Sequence, residues 1–132
     1  MIIGIGHDIS DITRIAKVLE GRTSRRFLER VLTAGERELA AQYAGERLNQ
    51  FTAGRFAAKE AVVKAFGCGI GNIMGFTDIE ILRDECGKPE CFLSQAAWSR
   101  LGLDQGAVRI HITITHERKL ASAFVIAERI IS

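Results

Sequence analysis

The stretch Gly54-Arg55-Phe56-Ala57-Ala58-Lys59-Glu60-Ala61-Val62-Val63-Lys64-Ala65-Phe66-Gly67 has the pattern of a long, mostly apolar helix. At about 100° per residue, its smaller side chains fall on one continuous arc, which suits close packing against a sheet. This arc consists of Ala57, Ala58, Ala61, Val62, Ala65 and Phe66. The remaining arc carries the charges of Lys59, Glu60 and Lys64. Charged side chains are rarely buried without a partner, so this arc predicts either a functional site or a solvated Glu60–Lys64 salt bridge.

The composition indicates one ordinary globular domain over residues 1–132. The hydrophobic fraction of 47% is sufficient for a core, and a single Pro leaves no candidate linker. The apolar residues 1–6 are too few for a signal-peptide core, and no apolar run approaches the length of a membrane span. We therefore expect a cytoplasmic protein without membrane contact. The three cysteines lack CxxC spacing, which favours reduced thiols, and we assign them no chemistry.

Local signals predict the elements on either side of the long helix. Residues 1–6 read as a short strand with Asp8 at its end, and apolar residues at helical spacing follow from Ile12. Thr33 and Glu36 have capping-box spacing, which predicts a helix from there to about Tyr43.

The C-terminal half reads as two hairpins and a short helix. Residues 78–84 and 89–93 flank a turn, and Ser94 can cap a helix that ends before Gly102. Residues 108–115 alternate strictly between apolar and polar side chains, and 121–130 form a second strand that can pair with them. These proportions predict an α+β domain in which the long helix packs on a curved, mostly antiparallel sheet.

A basic segment follows the first strand. The net charge is only +2, yet six of the 18 Lys and Arg residues lie between positions 14 and 30, with only two Glu among them. The six basic residues are Arg14, Lys17, Arg22, Arg25, Arg26 and Arg30. This run is either a solvated helical face or a docking surface for an acidic partner, and nucleic acid and acidic protein are both admissible.

Three short motifs occur in a characteristic order: Gly6-His7-Asp8-Ile9, then residues 54–61 with their Lys-Glu-Ala core, then Thr113-Ile114-Thr115-His116. Together with Gly87-Lys88-Pro89, they resemble the small, single-domain holo-acyl-carrier-protein synthase family of 4'-phosphopantetheinyl transferases. The resemblance extends over the whole chain. Thr113 stands where this family more often has Ser, and Cys68 where a Thr is more usual.

The resemblance implies transfer of the phosphopantetheine arm of coenzyme A to a serine of apo acyl carrier protein, in support of fatty acid biosynthesis. It also implies catalytic roles for Asp8, Glu60 and Lys64. Mg²⁺ binds through one or two carboxylates plus phosphates and waters, so Asp8 and Glu60 suit it as ligands. A lone Asp after a strand is usually a turn or cap residue, and only its pairing with Glu60 favours a metal site.

The resemblance further implies a coenzyme A site. Arg55 and His116 would hold the 3'-phosphate, and Lys64 would lie near the pyrophosphate. Lys59 would support phosphate binding or orient Glu60. Alternatively, the aliphatic part of the Lys59 side chain packs on the sheet, which would give the same sequence pattern. The expected coenzyme A contacts also include Gly67, Gly87, Lys88 and Pro89.

The basic segment has a role in this interpretation, because acyl carrier proteins are acidic. Arg14, Arg26 and Arg30, with Phe27 as an apolar contact, are the expected docking residues. The family also implies a homotrimer with active sites at the subunit interfaces.

Two rival functions are a broad-specificity transferase for secondary-metabolite carriers and a non-enzymatic basic module that binds RNA or an acidic protein. RNA-recognition sheets display paired aromatics, whereas alternating strand positions 109–115 carry Arg, His and Thr, so we expect no nucleic acid partner.

Overall fold

The computed structural model describes residues 1–131. Over these residues the chain forms five β-strands, five α-helices and two single turns of 3-10 helix. In the N-terminal half the elements are β1 (Ile2–Asp11), α1 (Ile12–Glu20), α2 (Ser24–Val31), α3 (Ala34–Ala40) and α4 (Glu46–Ala65). In the C-terminal half they are the 3-10 turn Phe76–Asp78, β2 (Ile79–Arg83), β3 (Pro89–Leu93), α5 (Gln95–Leu101), the 3-10 turn Gln105–Ala107, β4 (Val108–His116) and β5 (Leu120–Arg129).

All paired strands are antiparallel, and they form two sheets. The larger sheet has the order β1-β5-β4, and β2 pairs with β3 in the smaller one. The main core lies where α4 packs on β1 and β5, with Ile79 and Ile81 of β2 also fully buried in it. This arrangement confirms the predicted α+β class with a long helix on antiparallel strands.

Local capping signals define several helix ends as predicted. The Thr33 hydroxyl accepts a hydrogen bond from Glu36 N, and the Glu36 carboxylate accepts one from Thr33 N, so the capping box opens α3. Ser94 accepts from Ala97 N at the start of α5, and Gly102 ends that helix in the left-handed region with φ of 69°. These side-chain caps satisfy backbone donors that a helix leaves free at its first turn.

Three predicted boundaries were wrong. The first strand continues to Asp11, so Asp8 lies inside β1 instead of following it. The helix that opens with the capping box, α3, ends at Ala40, before Tyr43. The long helix begins at Glu46, two turns earlier than the pattern of residues 54–67 indicates. Its added turns are polar at several positions, which hides them from a search for apolar periodicity.

The contact between β1 and α4 is unusually close because β1 has glycines at its contact positions. A methyl group at Gly6 would overlap the carbonyl oxygen of Ala61, and one at Gly4 would overlap that of Ala65. On the helix side, Ala57, Ala61 and Ala65 are at most 3% exposed. Small residues on both elements thus let two backbones touch, as the apolar arc of the helix predicted.

Among residues 1–131, none of the helices has the length and apolar character needed to cross a bilayer.

We predict that Gly6→Ala lowers the free energy of unfolding by about 2–3 kcal/mol, because the added methyl must push β1 away from α4. Gly69→Ala is the matched control, since a Cβ at this exposed glycine meets no atom within 4 Å. The control should leave stability unchanged or raise it by up to about 1 kcal/mol. Urea titration of both variants measures the difference, and equal stabilities would show that the backbone contact is not a constraint.

Candidate active site

Asp8, Glu60 and Lys64 form one cluster at the contact of β1 with α4, which we call the carboxylate cluster. The ammonium group of Lys64 donates to Asp8 Oδ1 at 2.8 Å and to the carbonyl oxygen of His7 at 3.0 Å. Glu60 lies one turn earlier on α4 and is partly buried. The salt bridge of Lys64 is therefore with Asp8, in place of the Glu60–Lys64 pair considered from the sequence.

The electrostatics of the cluster reflect two carboxylates held near each other. Burial and the negative charge of Asp8 raise the pKa of Glu60, while the positive charge of Lys64 opposes the rise. The hydrogen bond to Asp8 raises the pKa of Lys64, so its ammonium form is favoured. Glu60 consequently takes up a proton at a higher pH than an isolated glutamate does.

The donors of the carboxylate cluster fit a hard divalent cation. Asp8 and Glu60 supply carboxylate oxygens, and their mutual repulsion would be relieved by a cation between them. In the described part of the chain, no three His, Cys, Asp or Glu side chains come together in a metal-binding group. An ion here would need further oxygen ligands from substrate or water, which Mg²⁺ accepts and most structural metals do not.

A second candidate site lies on the opposite side of α4, and we call it the arginine pocket. It is a cavity of about 240 Å³. Its lining includes three arginines, Arg47, Arg55 and Arg83, together with His116. The remaining lining residues are Tyr43, Gln50, Phe51, Gly54, Gly87, Pro89 and Ile114. Three guanidiniums and an imidazole around one cavity make it suitable for a phosphate group.

Arg55 is buried beneath this pocket and only partly hydrogen-bonded. It is 5% exposed, its Nε donates to the carbonyl oxygen of Ile81 at 3.1 Å, and its guanidinium lies 4.4 Å from the centre of the Phe51 ring. Burial lowers the pKa of Arg55 to about 10, against the attraction of Glu36. Its buried Nη2 has no hydrogen-bond partner within residues 1–131, so it is free to donate to a bound anion.

Arg47 and Arg83 were missed by the sequence analysis. Arg47 lies on the part of α4 that was not predicted, and the guanidiniums of both residues lie over the ring of Tyr43, at 5.4 and 5.9 Å. A signal was nevertheless present, since Arg47, Phe51 and Arg55 are spaced by four and therefore share one side of a helix. A predicted helix that began two turns earlier, at Glu46, would have placed Arg47 on the same side as Arg55.

The predicted contact of Lys59 with coenzyme A does not agree with the structure. Lys59 is 0% exposed, and its ammonium group donates to Glu36 Oε1 at 2.6 Å and to the carbonyl oxygens of Val31 and Phe76 at 2.7 and 2.9 Å. An ammonium group has three protons, so all its donors are engaged inside the protein. Lys59 thus has a buried structural partner, and its charge is not available to a phosphate at the surface.

The carboxylate cluster and the arginine pocket do not converge within one chain. Arg55 and Lys64 are nine residues apart on α4, which places them about 180° apart around the helix axis. Lys64 faces β1, whereas Arg55 lines a cavity with Ile114 and His116 of β4. The predicted site residues are therefore divided between two sides of α4.

Gly67 and Lys88 lie outside the arginine pocket, whereas Gly87 and Pro89 line it. Gly67 follows the last turn of α4 with φ of 74°, and its N–H donates to the carbonyl oxygen of Lys64. Lys88 lines a separate cavity between β3 and β4, together with Asp84 and Arg109. Gly67 thus lies at the end of α4 that carries the carboxylate cluster.

The expected docking residues lie along α1 and α2. Arg14, Arg26 and Arg30 are exposed, and Phe27 is half-buried and stacks on Phe56 with ring centres 6.5 Å apart. Arg14 and Phe27 line a largely apolar groove of about 290 Å³ that also includes Ile9, the residue after Asp8. The groove therefore joins α1 and α2 to the part of β1 that follows Asp8.

Comparisons with known proteins identify the family of the chain. The family model described as the 4'-phosphopantetheinyl transferase superfamily matches residues 4–125. The chain is 46% identical to the holo-[acyl-carrier-protein] synthase of Bacillus subtilis (strain 168) over 132 residues, which is 100% of each chain.

Solved structures give the same result. A holo-(acyl-carrier-protein) synthase from Bacillus anthracis str. Ames in complex with CoA (3',5'-ADP) matches with a TM-score of 0.83 at 42% identity, covering 98% of each chain. The holo-[acyl-carrier-protein] synthase of Neisseria meningitidis matches with a TM-score of 0.86 at 37% identity, covering 98% of this chain and 100% of that one. The resemblance carried by the three motifs is confirmed, and neither the RNA-binding module nor the broad-specificity transferase is favoured. The chain belongs to the 4'-phosphopantetheinyl transferase superfamily, within its family of holo-[acyl-carrier-protein] synthases.

Proposed function

We propose that this enzyme transfers the 4'-phosphopantetheine group of coenzyme A to a serine hydroxyl of apo acyl carrier protein. The serine oxygen forms a bond to the β-phosphorus and its hydroxyl proton passes to water, while the bond from that phosphorus to the bridging oxygen breaks and adenosine 3',5'-bisphosphate leaves. The observation that carries the proposal is the cluster of Asp8, Glu60 and Lys64 where β1 contacts α4. A role in fatty acid biosynthesis, a cytoplasmic location and a single domain over residues 1–132 stay predictions from the sequence.

Asp8 and Glu60 are the proposed ligands of Mg²⁺ at this cluster. The bound ion would supply neutralisation of the negative charge that grows on the diphosphate. Lys64 keeps its proton through the hydrogen bond to Asp8 and offers a cation at the same point, where it can stabilise the leaving phosphate. The oxygen-only character of the two donors favours a hard cation over Zn²⁺ or Cu²⁺, which prefer nitrogen or sulfur ligands.

The arginine pocket is the proposed site for the 3'-phosphate of coenzyme A. Arg55 offers its unpartnered Nη2, and His116 lines the same cavity. Arg47 and Arg83 add positive charge that the sequence motifs did not indicate. Gly87 and Pro89 of the β2–β3 turn border the cavity, while contacts of coenzyme A with Gly67 and Lys88 stay predictions.

Acidic acyl carrier protein is the proposed partner of the α1–α2 face. Exposed Arg14, Arg26 and Arg30 supply long-range attraction, and the groove beside Phe27 supplies apolar contact. Because Ile9 lines this groove and Asp8 precedes it, a carrier docked here would present its serine near the carboxylate cluster.

A homotrimer with active sites shared between subunits accounts for the two separate halves of the site. The face of the β1-β5-β4 sheet that points away from α4 exposes Ile5 and Phe124 at 57% and 41%. Large apolar side chains on one sheet face are typical of a protein–protein interface. Association through this face could bring the carboxylate cluster of one subunit to the arginine pocket of its neighbour.

We predict that Asp8→Asn and Glu60→Gln each lower transfer to the carrier by at least about a hundredfold and raise the Mg²⁺ concentration needed for half-maximal rate. Each change keeps the size of the side chain and removes one carboxylate charge. Mass spectrometry of the carrier measures the transfer, and Glu38→Gln, at an exposed position of α3, is the control. Wild-type turnover with an unchanged Mg²⁺ dependence in Asp8→Asn would refute the proposed metal site.

We predict that Arg14→Ala and Arg30→Ala raise the KM for the carrier several-fold and leave the KM for coenzyme A nearly unchanged. Added salt should raise the carrier KM of the wild type steeply, because exposed charges are screened beyond about 8 Å at physiological ionic strength. Arg129→Ala is the control, since Arg129 is exposed at the end of the sheet far from α1. A carrier KM that does not respond to salt would argue against electrostatic docking.

We predict that two inactive variants restore activity when they are co-expressed. Asp8→Asn impairs the carboxylate cluster, and His116→Ala impairs the arginine pocket. In a mixed trimer, one interface joins the intact cluster of a His116→Ala subunit to the intact pocket of an Asp8→Asn subunit. Transfer should therefore exceed the sum of the two separate variants, and light scattering should give a trimer. Co-expressed protein that is trimeric but no more active than that sum would contradict a shared site.

A further inference from the structure

We propose that Glu36 of α3 is a positioning residue that orients Arg55 in the arginine pocket through the backbone of Ile81. The inference deepens the proposed function and rests on its assignment of the 3'-phosphate to that pocket. Glu36 does not line the arginine pocket, and its side chain lies wholly inside the protein.

The Glu36 carboxylate holds three donors from three different parts of the chain. Its Oε1 accepts from Lys59 Nζ at 2.6 Å and from Thr33 N at 2.8 Å, and its Oε2 accepts from Ile81 N at 2.8 Å. Glu36, Lys59 and Ile81 are all 0% exposed. The Glu36 carboxylate accepts these three hydrogen bonds on both of its oxygens, so it has little freedom to rotate.

The backbone of Ile81 continues this network to the arginine pocket. Its N–H is held by Glu36, and its carbonyl oxygen accepts from Arg55 Nε at 3.1 Å. Arg55 and Lys59 are one turn apart on α4 and therefore lie on the same side of this helix. The Glu36 carboxylate binds Lys59 directly and contacts Arg55 indirectly, through Ile81. The guanidinium is thereby fixed at Nε, with its Nη2 left unpartnered within residues 1–131.

Two features favour a positioning role over a contribution to stability alone. Replacing a buried ion pair by well-packed apolar residues is often neutral or stabilising, so burial of Glu36 with Lys59 is weak support for a purely structural purpose. The negative charge of Glu36 also opposes the effect of burial on the pKa of Arg55 and so favours the charged guanidinium. This electrostatic effect acts on the group that is proposed to meet the phosphate.

The test compares two double variants that remove the same ion pair. E36L/K59M leaves Ile81 N–H without an acceptor, whereas E36Q/K59M keeps an amide oxygen that can accept from it. Calorimetry gives the dissociation constants of coenzyme A and 3'-dephospho-coenzyme A, which differ only in the phosphate. We expect the wild type to prefer coenzyme A, E36L/K59M to lose about tenfold of that preference, and E36Q/K59M to retain most of it.

Controls separate this inference from a stability effect and from the proposed function. Ile79→Val, at a fully buried position of the same strand, should lower stability without changing the preference. A preference that E36L/K59M retains in full overturns the positioning role of Glu36 and leaves the phosphate assignment intact. If the wild type does not distinguish the two ligands, both the assignment of the 3'-phosphate to the arginine pocket and the role of Glu36 are overturned.

Discussion

The direct contact between the backbones of β1 and α4 is the constraint on which the arrangement of the carboxylate cluster depends. Because Gly4 and Gly6 have no side chains, β1 lies against the carbonyl oxygens of Ala61 and Ala65. Alternation along the strand then directs Asp8 to the same face as the two glycines, beside Lys64. A bulkier strand would place Asp8 farther from α4, so packing alone determines whether the two carboxylates can share a cation.

The other side of α4 is fixed by polar contacts instead of close packing. Lys59, Glu36 and the Ile81 peptide are fully buried, and hydrogen bonds join α4 to α3 and β2 there. Leaving a charge unpaired in such a place would be strongly destabilising, so this arrangement tolerates few alternative orientations of the helix. The helix is thus located from both sides by different physical means, apolar contact at β1 and a buried ion pair at α3.

Much of the fold was predictable because its signals are local. The alternation of β4, the capping box of Thr33 and Glu36, and the small-residue arc of α4 each depend on residues close in sequence. The extra turns of α4 and the inclusion of Asp8 in β1 depend on tertiary contacts that such patterns do not contain. The motif residues were predicted from the family resemblance, but the burial of Lys59 was not, because its partner Glu36 is 23 positions away and had been accounted for as a helix cap.

The division of the candidate site across α4 follows from the positions of its charged residues around the helix. A helix whose apolar arc is covered by a sheet has two remaining flanks, and here one bears Glu60 and Lys64 while the other bears Arg55. Coenzyme A carries its diphosphate and its 3'-phosphate at different positions. Because Lys64 and Arg55 lie on different flanks of α4, neither flank alone offers charges for both phosphate groups. The desolvated Arg55 with an unpartnered Nη2 is costly without an anion, and the exposed apolar face of β1 and β5 is costly in water. Association of subunits through that sheet face would remove its apolar side chains from water. The association would also complete the nucleotide site, so that a bound phosphate could accept a hydrogen bond from Arg55 Nη2.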